Sequence, residues 1–293
     1  MKIMVTGATG FIGRTFVKEI ARYHQVVGVG RDATLPVDKT IEWINWDLSE
    51  ITYKPLFPTN IDVVVALAQS REYRQFPEQA EKIFNVNVAS TLNLLEYARK
   101  AGVRLFLLAS TANVYRPSSE KISESWVVEP ATFYARSKHM AELLVQSYSE
   151  YFMCVILRLF TVYGPGQQNM LLPSLIDRVR GNTPLQIQGK REFGLSPIYI
   201  DDVVQVAKTI IEDRNEGVGC ETYNVGGDEA TNIRELGNLI GDALNTLPKF
   251  EFGNEDNPGG WIANNSKLKS HLNLKPFTGL KDGIKKVILN EQD

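Results

Sequence analysis

The chain has 293 residues, of which 43% are hydrophobic and 23% charged, and its formal net charge at pH 7 is −2. This composition is typical of a globular protein with room for one large domain or two unequal ones. The small net charge provides no general attraction to nucleic acid or to an anionic membrane, so neither is an expected partner.

The first predicted strand leads into a glycine turn. Ile3–Val5 is a short apolar run, and the sequence Gly7-Ala8-Thr9-Gly10-Phe11-Ile12-Gly13 follows it and opens a helical pattern. A strand, a glycine turn and a helix form the context of a dinucleotide-binding fingerprint. Gly7 permits a tight turn, Gly10 lets the backbone approach a pyrophosphate, and Gly13 lets the helix pack close to the strand.

The second strand bears on the choice of nicotinamide cofactor. It is predicted from Gln25 to Arg31, and Gly30 and Arg31 occupy the end where an acidic residue would bond the adenosine ribose of NAD. A small residue followed by Arg suits the 2′-phosphate of NADP, so the sequence favours NADP over NAD. A third strand is predicted from Glu42 to Asp47, and Asp47-Leu48 stands where an adenine could be held.

The fourth strand and the next helix frame the predicted cofactor site. Asp62 to Ala68 is a continuous apolar run, typical of a parallel strand covered on both faces. Its small end, Ala66-Leu67-Ala68, leaves room for a cofactor. A long amphipathic helix is predicted from Glu78 to Lys100, with a polar Asn87 in an apolar stretch. Asn87 is either a satisfied core amide or a strut that ties the helix to the active-site strand.

The fifth strand is predicted from Arg104 to Ala109 and ends in Ser110-Thr111. Hydroxyls at the carboxyl end of a parallel strand lie where open α/β sheets place their ligands. Ser110 or Thr111 is therefore expected to hydrogen-bond a substrate hydroxyl.

A further helical pattern begins with Tyr134-Ala135-Arg136-Ser137-Lys138. Residues four apart share one helix face, so the Tyr134 phenol and the Lys138 ammonium point the same way. A neighbouring ammonium stabilises a phenolate and lowers a tyrosine pKa from about 10 toward the working pH. The tyrosine can then take a proton from a hydroxyl, or return it, while a hydride leaves or reaches the same carbon.

The rest of the chain is less regular. A sixth strand is predicted from Met153 to Phe160, and beyond Thr161 the alternation of strands and helices loosens. The cysteines, Cys154 and Cys220, have no metal-binding or redox spacing, which suits a reducing compartment. No segment resembles a signal peptide or approaches the about 20 apolar residues of a membrane span. We therefore expect a cytoplasmic protein without a metal or a membrane segment.

Taken together, these motifs resemble the extended short-chain dehydrogenase/reductase family, also called the NAD-dependent epimerase/dehydratase family. The resemblance extends over nearly the whole chain, because Arg158–Gly166, Ile198–Val203, Tyr223–Gly227 and Ser266-Lys267 also match in order. It implies an α/β fold, with a Rossmann-type doubly wound parallel sheet that binds NAD(P) and a smaller mixed α/β C-terminal domain that binds substrate. The expected cofactor domain comprises residues 1–160 and about 193–224, and the substrate domain about 161–192 and 225–293.

The resemblance implies Thr111, Tyr134 and Lys138 as the catalytic residues. Tyr134 is expected to be the acid and base, Lys138 to lower its pKa and hold the nicotinamide ribose, and Thr111 to orient the substrate hydroxyl. The expected cofactor contacts are Gly7, Gly10, Phe11, Ile12, Gly13, Arg31, Asp47, Leu48, Leu67, Ala68, Asn87, Ala109, Tyr134, Lys138 and Phe160. The expected substrate contacts are Ser110, Thr111, Thr161 and Arg191.

Departures from the family pattern bear on the reaction. Dehydratases of the family tend to show Thr-Asp-Glu after the fifth strand, whereas Ala112-Asn113 follows Thr111 here, which favours epimerase or reductase chemistry. A second diphosphate-binding Arg near Gly260-Trp261 is missing, although Arg191 is present. We expect a nucleotide-sugar 4-epimerase, with an NADPH-dependent carbonyl reductase as the alternative and a non-catalytic NAD(P)-binding protein as the third reading. The family also allows a homodimer.

Overall fold

The computed structural model confirms the predicted α/β class and divides into two compact units. It describes residues 1–31, 41–50, 57–187, 193–213, 217–253 and 259–290. Unit 1 comprises Met1–Arg116, Val127–Arg158 and Val204–Tyr223, and unit 2 comprises Pro117–Trp126, Leu159–Val203 and Asn224–Asp293.

The strands and helices follow one another in the predicted alternation. The strands are β1 (Lys2–Thr6), β2 (Gln25–Gly30), β3 (Glu42–Asn45), β4 (Val63–Ala66), β5 (Leu105–Thr111), β6 (Lys121–Ile122), β7 (Met153–Leu159), β8 (Val162–Tyr163), β9 (Leu185–Ile187), β10 (Ile198–Tyr199), β11 (Gly219–Val225), β12 (Phe250–Phe252) and β13 (Ile262–Ala263). The helices are α1 (Phe11–Ile20), α2 (Ala80–Phe84), α3 (Ser90–Ala101), α4 (Phe133–Ser147), α5 (Leu171–Arg180), α6 (Ile200–Asp213), α7 (Ile233–Leu244), α8 (Ser266–His271) and α9 (Leu280–Asn290).

A seven-stranded sheet has the order β11-β7-β5-β4-β1-β2-β3. Strands β4, β5 and β7 are buried along their whole length, as expected for apolar strands covered on both faces. Leu94 and Ala98 of α3 pack with Ala141 and Val145 of α4 in the core cluster on one face. Helix α1 buries its own apolar stripe, through Phe16 and its neighbours, on the other face. The prediction of a doubly wound sheet is confirmed.

The strand order reverses beside β1. Thr6, the last residue of β1, pairs in parallel with Val29 of β2 on one side and with Ala66 of β4 on the other. The chain builds outward from β1 to β3, then returns to β4 and continues to β5 and beyond. The carboxyl ends of β1 and β4 therefore meet at the topological switch point, where open α/β sheets bind ligands.

Unit 2 is a mixed α/β unit with the parallel strand pairs β8·β10, β9·β12 and β6·β13. Unit 2 also contains residues 117–126, 159–160, 193–203 and 224, which the sequence assigned to the cofactor domain. The reason is strand pairing, because Ser118 pairs with Gly260 and Leu195 pairs with Trp261. Within the described ranges, no helix is both long enough and apolar enough to cross a membrane.

We predict that Gly13→Ala destabilises the fold more than Gly102→Ala. A Cβ at Gly13 would lie 2.1 Å from the carbonyl oxygen of Gly7, whereas a Cβ at Gly102 would meet nothing within 4 Å. Overpacking against backbone costs about 3 kcal/mol, while the left-handed φ of 68° at Gly102 costs an alanine about 1–2 kcal/mol. Urea denaturation measures both losses. Equal losses in the free energy of unfolding would contradict the close packing of α1 on the glycine turn.

Candidate active site

The turn after β1 is shaped for close approach of a ligand. Gly7 has a left-handed φ of 67°, and the Gly10 amide donates to the Gly7 carbonyl at 2.8 Å. A Cβ at Gly7 would lie 2.7 Å from the Ala68 nitrogen, so only glycine fits where the ends of β1 and β4 meet. Gly10 is the N-cap of α1 and provides no side-chain cap for the N–H groups of Phe11–Gly13. These donors and the positive end of the helix dipole suit a pyrophosphate, so the turn fits a dinucleotide.

Asp47 places a carboxylate near Arg31 at the expected adenosine end of the site. Its Oδ1 accepts hydrogen bonds from the Ser49 amide at 2.9 Å and from the Ser49 hydroxyl at 2.8 Å. Partial burial would raise the pKa of Asp47, but the Ser49 bonds and the charges of Arg31 and Lys82 hold it below its usual value. Arg31 is exposed, and Leu48 is buried in the core. An ionised carboxylate and a guanidinium thus lie close together here.

The Tyr134 phenol lies in a buried setting beside Thr111. Its hydroxyl donates to Gln69 Oε1 at 3.0 Å, and its ring centroid lies 4.9 Å from that of Tyr73. Burial raises the pKa of Tyr134 to about 12, and a hydrogen bond from Thr111 opposes this rise. The phenol is therefore protonated near neutral pH, and Thr111 is placed to stabilise its phenolate form.

Lys138 is held by the backbone at the end of β5. Its Nζ donates to the carbonyl oxygen of Ala109 at 2.5 Å. Burial lowers the pKa of Lys138 to about 8, and the charge of Glu142 opposes this shift. Burial of the phenol dominates the Tyr134 pKa and the ammonium is bound to Ala109, so the expectation that Lys138 lowers the Tyr134 pKa stays a prediction.

A π-helical turn, Asn85–Ala89, interrupts the long helix between α2 and α3. Within it, Asn87 Oδ1 accepts from the Ser70 amide at 3.0 Å and Asn87 Nδ2 donates to the Ser137 hydroxyl at 2.9 Å. Ser137 in turn donates to the Tyr134 carbonyl at 2.7 Å. Asn87 is thus both a satisfied buried amide and a strut between the segment after β4 and the first turn of α4. Turns of this type often occur at functional sites.

The Ser110 hydroxyl is hydrogen-bonded within the protein. The hydroxyl donates to Glu142, a carboxylate that is fully buried. Arg158 on β7 donates to the same carboxylate from Nε at 3.0 Å and from Nη2 at 2.7 Å, and its Nη1 donates to the Tyr115 hydroxyl at 2.7 Å. The Ser110 donor is committed to this buried charge, which leaves only its acceptor lone pairs for a ligand. The expectation that Ser110 or Thr111 binds a substrate hydroxyl stays a prediction.

The remaining residues that were expected to contact cofactor or substrate lie in different parts of the structure. Leu67 and Ala68 are half-buried just beyond β4. Phe160 and Thr161 lie in unit 2, where their backbone groups are hydrogen-bonded within that unit. Arg191 lies outside the described residues. In the part of the chain that the structure describes, no group of three or more His, Cys, Asp or Glu side chains is arranged to hold a metal ion.

The sequence analysis missed Gln69, Glu142 and Arg158. Gln69 directly follows the small end of β4, which is a weak signal. Glu142 lies eight residues after Tyr134 and hence on the same helix face, so the helical period does point to it. Arg158 begins one of the segments that match the family, but its pairing with Glu142 gave no local signal, because only the fold brings β7 beside α4.

Comparison with known proteins gives a consistent result. The model of the NAD dependent epimerase/dehydratase family matches residues 3–226. The UDP-glucose epimerase YtcB of Bacillus subtilis (strain 168), described as uncharacterized, is 30% identical over 305 residues, covering 97% of this chain and 96% of that protein. UDP-glucuronate 4-epimerase of Thermodesulfobacterium geofontis (strain OPF15) is 28% identical over 311 residues. This match covers 97% of this chain and 94% of that protein.

One solved structure has a similar fold along the whole length of this chain. It is UDP-glucuronic acid 4-epimerase from Bacillus cereus in complex with UDP-glucuronic acid and NAD, with a TM-score of 0.85 and 26% identity. The match covers 100% of this chain and 99% of that one.

Proposed function

The chain belongs to the NAD-dependent epimerase/dehydratase family, and we propose that it is a nucleotide-sugar 4-epimerase. Such an enzyme oxidises a sugar hydroxyl transiently and reduces the resulting ketone from the other face. The observation that carries the proposal is the meeting of Thr111, Tyr134 and Lys138 at the carboxyl end of β5. The 4-epimerase activities of the similar proteins from T. geofontis and B. cereus support it.

The residues of this chain provide the proton chemistry. The cofactor, when bound, supplies a hydride acceptor and donor, and its oxidised ring is positively charged. Tyr134 takes the hydroxyl proton during oxidation and returns it during reduction. Thr111 donates to the phenol oxygen and stabilises the phenolate, and the Lys138 ammonium adds a positive charge on the same helix face. The Tyr134 pKa of about 12 already includes the hydrogen bond from Thr111. Proton transfer near neutral pH therefore depends on added positive charge, which Lys138 and the oxidised cofactor would supply.

Dehydration is disfavoured by the surroundings of Thr111. Eliminating water needs an acid that can give up a proton. Ala112 and Asn113 follow Thr111 in a short 3₁₀ turn, and neither is an acid. Although burial favours its neutral form, Glu142 is held ionised by hydrogen bonds from His139 and Arg158. A carboxylate bound in this way is a poor proton donor, which leaves epimerisation or reduction.

We propose a UDP-sugar as the substrate class. YtcB is named for UDP-glucose, and the two 4-epimerases are named for UDP-glucuronate or UDP-glucuronic acid. Cys154 and Cys220 are not disulfide-bonded, which fits the proposed cytoplasmic location with its reducing environment.

We propose NAD as the cofactor, with NADP as the alternative that Arg31 raised. The exposed guanidinium of Arg31 suits a 2′-phosphate, and tighter binding of NADP would favour the reductase as the second candidate function. Asp47 counts against this, because its ionised carboxylate lies close enough to Arg31 for the two charges to interact. A carboxylate repels a phosphate and accepts hydrogen bonds from hydroxyl or amino groups.

A homodimer is also proposed, through the neighbouring helices α3 and α4. Leu92 on α3 is 41% exposed, and Met140 and Leu143 on α4 are 42% and 49% exposed. Phe84, at the end of α2, is 42% exposed. Clustered exposed apolar side chains of this kind mark interaction surfaces, and a second copy of the chain offers a matching surface by two-fold symmetry.

We predict that Tyr134→Phe lowers the turnover of UDP-sugars by about 10² to 10⁴, the usual contribution of one acid–base group. Affinity for NAD should stay nearly unchanged, because the ring and its packing remain. UDP-glucose and UDP-glucuronic acid are each supplied as substrate. NMR then follows the conversion of each into its own 4-epimer and gives the turnover of both variants. Tyr148→Phe is the control, since it removes a hydroxyl of the same helix that donates to Glu96 at 2.7 Å. A Tyr134→Phe variant with full turnover would exclude Tyr134 as the acid and base.

We predict that NAD binds about tenfold more tightly than NADP. The Asp47 carboxylate opposes the 2′-phosphate of NADP, and one charge-assisted hydrogen bond lost in this way changes affinity by about that factor. Asp47→Asn should narrow or reverse this preference by removing the repulsion of the 2′-phosphate. Calorimetric titration of both cofactors at one salt concentration provides the comparison. Tighter binding of NADP by the wild-type protein would refute the NAD proposal and favour the reductase.

We predict that Met140→Glu/Leu143→Glu produces a monomer. Placing two like charges in an apolar interface leaves them desolvated and unpaired. Sedimentation equilibrium gives the mass of each variant, with Leu289→Glu on α9, also exposed, as the control. A wild-type protein that sediments as a monomer at every concentration would disprove the proposed dimer.

A further inference from the structure

Ala109, Ser110 and Thr111 at the end of β5 each hydrogen-bond one side chain of α4. Tyr134, Lys138 and Glu142 are spaced by four and therefore share one face of the helix. Thr111 hydrogen-bonds the Tyr134 phenol, the Ala109 carbonyl accepts from Lys138, and the Ser110 hydroxyl donates to Glu142. We call this face, with its three side chains, the α4 stripe.

Glu142 is the most strongly bound member of the α4 stripe. Its side chain is fully buried, and its two oxygens receive Arg158 in a bidentate arrangement, at 3.0 Å and 2.7 Å. His139 Nδ1 lies 3.4 Å from Oε2. A buried ion pair is a weak source of stability, because desolvation offsets much of the attraction. Its placement against the catalytic end of β5 therefore calls for another role.

We propose that Glu142 is a positioning residue that, through Ser110 and Arg158, sets the register of β5 against α4. Ser110 stands between the two residues that serve the reaction, so binding its hydroxyl fixes the Ala109 carbonyl at Lys138 and the Thr111 hydroxyl at Tyr134. The inference rests on the proposed function, because Tyr134 and Lys138 are the groups positioned. Errors of about 1 Å in such groups lower rates by up to about 10².

Glu142 also acts on Lys138 through its charge. Burial lowers the pKa of Lys138 to about 8, and the Glu142 carboxylate one turn away raises it. The charged or titratable groups that face Glu142 are Arg158 and His139. Lys138 lies between Glu142 and the Tyr134 phenol on the α4 stripe, and only Glu142 shifts its pKa through charge. Removal of the carboxylate charge therefore lets Lys138 lose its proton at a lower pH.

Ser110→Ala tests whether Glu142 positions β5, because it removes the Ser110 hydroxyl and leaves the Glu142–Arg158 ion pair in place. We expect kcat to fall by about tenfold, with little change in KM. The lost hydrogen bond to a buried charge should also lower the temperature of unfolding. Ser90→Ala is the matched control, because Ser90 is equally buried and its hydroxyl donates to the Val86 carbonyl at 2.7 Å, away from the α4 stripe. Equal kcat values for both variants would overturn the positional role.

Glu142→Gln tests the charge. We expect the pKa of Lys138, about 8 in the wild type, to fall by about one pH unit, and the high-pH limit of kcat/KM to fall with it. Competitive labelling of the Lys138 amine with acetic anhydride, read by peptide mass spectrometry across the pH range, should show the same shift without any substrate. A variant that unfolds more readily but keeps both pH profiles would show a merely structural Glu142 and overturn the proposal.

The two readouts separate this proposal from the proposed function. If the wild-type protein converts none of the UDP-sugars, the epimerase proposal fails, while the labelling of Lys138 still reports on Glu142. If conversion is observed and the labelling profile is the same in wild type and Glu142→Gln, the epimerase proposal stands and the role of Glu142 is rejected.

Discussion

Two buried charges of opposite sign, Lys138 and Glu142, lie one turn apart on α4 and face the carboxyl end of β5. Neither charge tolerates an apolar setting without a partner, because burial of an unpaired ion costs several kcal/mol. Lys138 is satisfied by the Ala109 carbonyl, and Glu142 by Ser110 and Arg158. These partners exist only when helix and strand are in one relative position. The active-site geometry depends on this position.

The π-helical turn and the segment after β4 also hold α4 in place. The π-helical turn brings the Asn87 amide to Ser70 and Ser137, so the segment after β4 and the first turn of α4 are held together. Gln69 in that segment then reaches the Tyr134 hydroxyl. The segment after β4, the π-helical turn and α4, which carries the phenol, are thus all hydrogen-bonded to one another. Such a preorganised surrounding is what acid–base catalysis requires, because the reacting groups need not be repositioned during the reaction.

Burial sets the chemistry of the site as well as its geometry. It raises the pKa of Tyr134 to about 12 and lowers that of Lys138 to about 8, so both groups are shifted away from their charged forms. A phenol in this setting gives up its proton only when positive charge and hydrogen-bond donors are added. The Thr111 hydroxyl already provides one donor, so positive charge is what proton transfer from the phenol still needs.

The sequence by itself determined the features that depend on neighbouring residues. The glycine turn, the apolar strands and the shared face of Tyr134 and Lys138 follow from local spacing, and the motif order was sufficient for the family and the doubly wound fold. The tertiary structure alone decided that Ser110 serves Glu142 and that Gln69 binds Tyr134, since these partners lie 32 and 65 residues apart in the chain. It also decided both pKa shifts, because burial is a property of the packed fold. Spacing along a chain specifies which face a side chain occupies, whereas the group it meets there depends on how distant elements pack.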